Sequence, residues 1–156
     1  MPWRAFPTVA MLGTALACAM GGAPHDVSTE LPALAPDKAR IILYMAVATE
    51  LPSYCPPLTL DGEGVGKLCV GDFFSEDRSP GAHQVGVGID RNLSAFGEQG
   101  ATEPVDVTLA PGETAYVQVY ALWLSQSVKV MLTRETATNG LRDISSLRFA
   151  NPVSAP

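Results

Sequence analysis

Residues 55–85 read CPPLTLDGEGVGKLCVGDFFSEDRSPGAHQV. In this stretch Leu58 and Leu60 are separated by one polar residue, a glycine-rich reversal follows at residues 61–64, and an alternating pattern resumes over residues 65–70. Alternation with a period of two on both sides of a glycine-rich segment is typical of two paired strands. The stretch therefore predicts a β-hairpin with a four-residue connection.

The two cysteines of this hairpin are predicted to form a disulfide. Pairing Leu60 with Val65 and counting outward brings Cys55 and Cys69 almost opposite each other, within one residue of register. Their spacing is too wide for a C-x-x-C redox motif, so a structural disulfide is favoured over a reactive thiol.

The N-terminus has the features of an export signal. Arg4 precedes an apolar run at residues 9–17, which is too short to span a bilayer and fits the central region of a signal peptide. A short buried helix is the alternative, but Gly-Gly-Ala-Pro at residues 21–24 would end it at once. We therefore expect residues 1–17 to be a signal peptide.

The signal ends in Ala15-Leu16-Ala17, directly before Cys18. This sequence resembles a bacterial lipobox, in which the cysteine becomes the first mature residue and carries a lipid. The chain has three cysteines, so a disulfide between the other two leaves Cys18 over, and acylation would remove that free thiol. We expect Cys18 to be lipidated and to hold the protein at a membrane; plain secretion is the alternative.

The composition is acidic. Ten Lys and Arg residues are scattered among sixteen Asp and Glu residues, which gives a formal net charge of −6. Nucleic-acid binding requires clustered basic side chains to neutralise phosphates, and anionic lipid headgroups require a polybasic patch. Neither class of ligand is expected.

The remainder of the chain predicts one domain between two irregular segments. Proline-rich residues 18–38 read as a tether, residues 39–150 as the domain and residues 151–156 as a flexible tail. About seven short strands joined by tight turns indicate an all-β, antiparallel β-sandwich. Besides the hairpin, the predicted strands are residues 39–47, 71–74, 83–89, 105–109, 114–124 and 127–134.

Four segments outside these strands carry predictions of their own. Charged residues 75–81 and Asn-Gly at residues 139–140 are expected to interrupt regular structure, and residues 91–104 are expected to form a long, mobile, exposed loop. Residues 141–149 fit a short C-terminal helix, although residues 144–149 equally fit a strand.

Four pieces of the chain, in this order, resemble the bacterial DUF2846 family. They are ARIILY at residues 39–44, LDGEGVGKL at 60–68, GDFFSEDRSPGAHQV at 71–85 and LAPGETAYVQV at 109–119. The family consists of small, often lipid-anchored envelope proteins of no assigned function. The resemblance implies a transthyretin-like or PEGA-like β-sandwich and supplies no catalytic residues. The chain departs from the family in its paired cysteines and in Met45, where a basic residue is expected.

His83 is the only histidine of the predicted domain. A hydrolase or metal-dependent enzyme centred on it would recruit Asp72, Glu76 or Asp77 from the preceding segment. A histidine that opens a strand after a Pro-Gly turn commonly binds a neighbouring backbone carbonyl, and a typical zinc site needs further His or Cys ligands. We favour the structural role and expect no metal and no cofactor.

No other pattern indicates an active site. The chain lacks a Gly-x-Ser-x-Gly elbow and a Ser-x-x-Lys pair, so nucleophilic catalysis has no candidate residue. Tyr116, Tyr120 and Trp123 could form an aromatic strip for a glycan or peptide, but packing in the core or between sheets is the favoured role of such residues.

The sequence therefore predicts a non-catalytic module of the bacterial cell envelope that binds a protein, peptide or glycan, or serves a structural role. The predicted working surface is the loop at residues 91–104 together with the sheet edges. Arg91, Phe96 and Glu98 are the candidate contact residues, because an apolar Phe96 among charged residues has no evident use in the core.

Overall fold

The computed structural model describes residues 31–46, 54–89, 98–99, 102–124 and 127–150. The predicted signal peptide, Cys18, most of the tether and the tail lie outside them. The described residues form ten strands and one helix. These are β1 (Ala39–Tyr44), β2 (Pro57–Leu60), β3 (Glu63–Lys67), β4 (Asp72–Arg78), β5 (Gly81–Val87), β6 (Glu98–Gln99), β7 (Val105–Leu109), β8 (Thr114–Leu124), β9 (Ser127–Glu135), α1 (Ala137–Ile144) and β10 (Arg148–Phe149).

The strands form two sheets, which confirms the predicted all-β sandwich. The large sheet has the order β10-β4-β1-β8-β9-β6, and the small sheet has the order β3-β2-β5-β7. Five of the strand pairs are antiparallel. Three are parallel, namely β1 with β8, β10 with β4 and β6 with β9. The large sheet is therefore mixed, whereas the small sheet is wholly antiparallel.

β1 lies inside the large sheet and is buried along its whole length. Ile41 and Leu43 face the small sheet in the main core, whereas Ile42 and Tyr44 belong to a second apolar cluster on the opposite face of the large sheet. Ile144 of α1 is buried in that second cluster. This burial on both faces fits the run of apolar residues in the strand, which leaves neither face suited to water.

The prediction of a charged turn at residues 75–81 is wrong for its first half. Residues 75–78 continue β4, which pairs with β1 in a register that sets Asp77 opposite Arg40. The Arg40 Nε donates to Asp77 Oδ1 at 2.6 Å, and Nη2 donates to Oδ2 at 2.8 Å. Arg40 is only 5% exposed, so its charge requires this bidentate partner. Only Ser79 and Pro80 connect β4 to β5, and they carry the chain from the large sheet to the small one.

The hairpin of β2 and β3 is present, but its connection has two residues instead of the predicted four. Leu60 pairs with Glu63, and the turn consists of Asp61 and Gly62, whose φ angles are 54° and 83°. Two consecutive residues with positive φ are what a type I′ turn requires, and its twist matches that of paired strands. Asp-Gly is one of the sequences that this turn prefers.

A β-bulge in β3 sets the register of the two cysteines. Thr59 pairs with Gly64 but Leu58 pairs with Gly66, so one residue of β3 is extra. Beyond the bulge, each residue of β2 pairs with a residue of β3 that lies one position further along the chain than the register at the turn would give. Continuing this shifted register brings Cys55 opposite Cys69. The two cysteines form a disulfide with their Cα atoms 4.2 Å apart, as predicted.

The Asn139-Gly140 dipeptide was predicted to break regular structure, and this is wrong, because both residues lie within α1. Thr136 caps the helix, since its side-chain oxygen accepts a hydrogen bond from the Asn139 N–H at 3.3 Å. Gly140 is buried, and a Cβ atom at this position would overlap the Tyr116 side chain. The C-terminal segment is thus helix first and strand second, because β10 follows and pairs with β4.

The loop predicted at residues 91–104 lies largely outside the described residues, and the part that is described includes a short strand. Glu98 and Gln99 form β6, which pairs with the start of β9. Thr102 Oγ1 also donates to the Val130 carbonyl at 2.9 Å. Both contacts satisfy backbone groups on the outer edge of β9, and they fix the end of this segment to the large sheet.

Replacing Gly140 with alanine should destabilise the domain. Alanine favours a helix over glycine by about 1 kcal/mol, but overpacking a buried site costs up to about 3 kcal/mol. The atoms that would be overlapped include Cβ of Tyr116, which cannot move without the backbone. We expect a net loss of about 2 kcal/mol in the free energy of unfolding, measured by urea denaturation.

Gly64→Ala is the matched control for this substitution. A Cβ atom at Gly64 meets nothing within 4 Å, and the residue is exposed. Its unfolding free energy should stay close to that of the parent. A Gly140→Ala variant as stable as Gly64→Ala would contradict the close packing of α1 on Tyr116.

Candidate functional site

The structure describes only part of the predicted contact surface. Cys18, Arg91 and Phe96 lie outside the described residues. Glu98 lies in β6, but its side chain is outside the described part of the chain. Trp123 lies in β8 with its side chain likewise outside, whereas Tyr116 is buried and Tyr120 half-buried. For Tyr116, which packs in the cluster beneath α1, the predicted packing role is confirmed.

His83 is held by oxygen atoms at both ring nitrogens. Nδ1 lies 2.8 Å from Asp61 Oδ2, and Nε2 lies 2.7 Å from the Ser79 carbonyl oxygen. The contact with a neighbouring backbone carbonyl is the one predicted for a histidine that opens a strand after a Pro-Gly turn. A carbonyl and a carboxylate can only accept, so both contacts are hydrogen bonds at the same time only when the imidazole carries its second proton.

Asp61 is the partner that the sequence pattern did not reveal. It is 22 residues from His83 in the chain and sits in the hairpin turn, a position that only turn chemistry seemed to explain. β2 and β5 are neighbours in the small sheet, with Leu60 opposite Val85, and this pairing brings the turn beside the start of β5. Asp61 also accepts from the Gln84 N–H at 2.9 Å through its second oxygen.

The two charges stabilise each other. The hydrogen bond to Asp61, and then that to the Ser79 carbonyl, raises the pKa of His83 above its ordinary value. The hydrogen bond from His83 lowers the pKa of Asp61 below its ordinary value. The His83 side chain is 12% exposed and that of Asp61 is 45% exposed, so the pair lies at the surface, where water weakens the interaction.

The three carboxylates proposed to assist His83 are engaged elsewhere. Asp72 lies 2.7 Å from an Arg148 guanidinium nitrogen, and Glu76 lies 3.0 Å from Arg78. Asp77 is paired with Arg40 as described above. All three belong to β4 of the large sheet, whereas His83 belongs to the small sheet. The structure therefore does not assemble the His83-centred cluster that an enzyme or metal site was expected to use.

Among the described residues, no three His, Cys, Asp or Glu side chains come together closely enough to hold a metal ion. The same part of the chain contains no helix that is long and apolar enough to cross a membrane.

A shallow depression of about 450 Å³ lies next to His83 on the small sheet. Its rim and floor include Asp61, Ala82, Gln84, Asp106 and Thr108. Gln84 Nε2 donates to Asp106 Oδ1 at 3.0 Å across the paired strands β5 and β7. Carboxylate, amide and hydroxyl groups on an open floor can bind donors of a peptide or a polyol, and none of them is aligned as a nucleophile with a base.

The chain has no match among protein-family models, curated proteins or solved structures. The resemblance to the DUF2846 family consequently stays a prediction that rests on the four sequence segments.

The Cys55–Cys69 disulfide should contribute substantially to stability. It links residues 14 apart, and closing a loop of about 15 residues stabilises a fold by about 3 kcal/mol in the chain-entropy treatment. Reduction, or the paired substitution Cys55→Ser and Cys69→Ser, should lower the unfolding free energy by about that amount in guanidinium denaturation.

Cys18→Ser is the control for this pair, because it removes a cysteine that takes no part in the bridge. Mass spectrometry of the non-reduced protein should find Cys55 and Cys69 protected from alkylation. Two alkylated thiols at these positions in protein taken from the envelope would contradict the disulfide.

Proposed function

We propose that this protein is a non-catalytic module of the bacterial cell envelope that is anchored through a lipid on Cys18 and binds a protein, peptide or glycan partner. The observation that carries this proposal is the state of His83. While both of its nitrogens donate to these acceptors, the protonated ring has no lone pair with which to act as a base or to ligate a metal. The described carboxylates nearest in sequence are paired with arginines.

The disulfide supports export. Disulfides persist in oxidising compartments and are rare where thiols are kept reduced, and the N-terminal signal pattern fits the same destination. The proposal also includes a lipid anchor on Cys18, and secretion without a lipid is the alternative.

The position where the chain enters the domain favours one face as the working surface. Leu31, the first described residue, packs against the cluster beneath α1. The small sheet covers the other face of the large sheet, so its outer surface and the depression beside Gln84 lie on the far side from this entry. Residues 18–30 could span about 40 Å when extended, which would hold the domain clear of a membrane.

The segment at residues 91–104 supplies the second part of the proposed surface. Ile89, just before it, is 87% exposed, which is unusual for a large apolar side chain at the end of a strand. Phe96 follows in the same segment. Together with Arg91 and Glu98 they have the mixed apolar and charged composition of a protein-binding surface.

Cys18→Ala should release the protein from the membrane. The unsubstituted protein is expected in the detergent-extractable membrane fraction, and the variant in the soluble fraction, because acylation is the proposed anchor. Fractionation with immunoblotting measures this, and mass spectrometry of the mature N-terminus identifies the lipid. A wild type that is already soluble, with an unmodified thiol on Cys18, would establish plain secretion instead.

Replacing Arg91, Phe96 and Glu98 together with alanine should reduce crosslinked recovery of the partner from envelopes several-fold, since few residues supply most of the energy of an interface. Thermal stability should stay nearly unchanged, as for other surface substitutions. The matched control replaces one acidic, one apolar and one basic exposed residue elsewhere, namely Glu63, Leu141 and Arg142. Equal recovery with both triple variants would place the interface elsewhere on the domain.

A further inference from the structure

His83 connects three separate segments of the chain. It lies on β5, it contacts Asp61 in the turn between β2 and β3, and it contacts Ser79 in the connection between the two sheets. Asp61 is additionally bound to β5 through its own backbone, because its N–H donates to the Gln84 carbonyl at 2.8 Å. One imidazole ring therefore fastens the hairpin tip to the point where the chain passes from the large sheet to the small one.

This arrangement needs the imidazolium form of His83. A neutral imidazole has one N–H and one lone pair, so it can donate to Asp61 or to Ser79 but not to both. The nitrogen that loses its proton then faces an oxygen lone pair at 2.7 or 2.8 Å, which is repulsive. Deprotonation must therefore break one contact and push the two atoms apart.

The charged groups around the ring come from three elements. Asp61 in the hairpin turn favours the imidazolium, and Arg78 at the end of β4 opposes it. Asp106 on β7 is linked to the pair only through Gln84, which binds both Asp106 and Asp61. Asp61 is thus the group that decides the protonation of His83, while Asp106 offers a nearby carboxylate that does not touch the ring.

We propose that His83 and Asp61 form a pH-operated latch that fastens the β2–β3 turn to the Ser79-Pro80 connection and opens when His83 loses its proton. The latch is closed when the ring makes both hydrogen bonds, and it is open when the ring makes only one of them.

The latch is closed over a defined range of pH. The pKa of His83 is raised from an ordinary value of 6.5, so its contribution to stability is complete below about pH 6.5 and is lost as the pH rises through the pKa of the folded state. The pKa of Asp61 is lowered from an ordinary value of 3.8, so its contribution is complete above that pH and is lost as the pH falls through the folded-state pKa. Closure is therefore fullest between about pH 3.8 and 6.5.

Titration of the exported, disulfide-bonded chain by imidazole ¹⁵N NMR tests the latch. At pH 6 both His83 nitrogens should carry protons, and the midpoint of the titration should lie above 6.5. The backbone amide signals of Ser79 and Gln84 should shift with the same midpoint, because the connection and the turn move when one contact breaks.

Asp61→Asn isolates the charge. Asparagine tolerates the positive φ of this turn, and its amide can still accept from the Gln84 N–H while offering an N–H to His83. The partner then favours the neutral ring, so the His83 midpoint should fall by about one pH unit or more. Asp106→Asn is the matched control, and it should move the midpoint far less.

A His83 midpoint at or below 6.5, a single protonated nitrogen at pH 6, or Ser79 and Gln84 signals that ignore the titration would each overturn the latch. Equal midpoint shifts in Asp61→Asn and Asp106→Asn would do the same. The titration of the unsubstituted protein decides the question even where Asp61→Asn fails to fold.

Discussion

The burial of β1 on both faces is the constraint on which the rest of this fold depends. Six consecutive residues, all buried, must be covered on two sides, and no single sheet can do this. The small sheet covers one side and α1 with its neighbouring residues covers the other. The helix is therefore needed to cover a strand that lies almost one hundred residues earlier in the chain. The short and weakly helical sequence of α1 does not reveal this role.

A charge within that strand determines its neighbour. Arg40 is the one charged residue that is buried among the described residues. A buried charge without a partner is strongly destabilising, so Arg40 is the polar group of β1 that most needs a partner. Asp77 supplies both oxygens of its carboxylate, which requires β4 to lie antiparallel to β1 in one register. The charged character of β4, unusual for a strand inside a sheet, follows from this need and from the pairing of Asp72 with Arg148.

The features that the sequence predicts correctly depend on local patterns, whereas the features that it misses depend on contacts between residues that are far apart in the chain. Period-two alternation located most strands, and the cysteine spacing located the disulfide. Asp77 was assigned to a turn because Arg40 is 37 residues away. Gly140 is predicted to break regular structure because Tyr116, which needs the space, lies far away in the sequence on β8. Asp61 was explained by turn chemistry alone, although the same side chain also binds His83.

The position of His83 also limits the chemistry that the described part of the domain can perform. A general base needs a free nitrogen directed at a substrate, and a metal ligand needs a lone pair. Here one nitrogen is committed to the sheet connection and the other to the hairpin turn, so releasing either one means loosening the fold at that point. A base or metal ligand built on His83 would therefore have to displace one of the two contacts that join these segments.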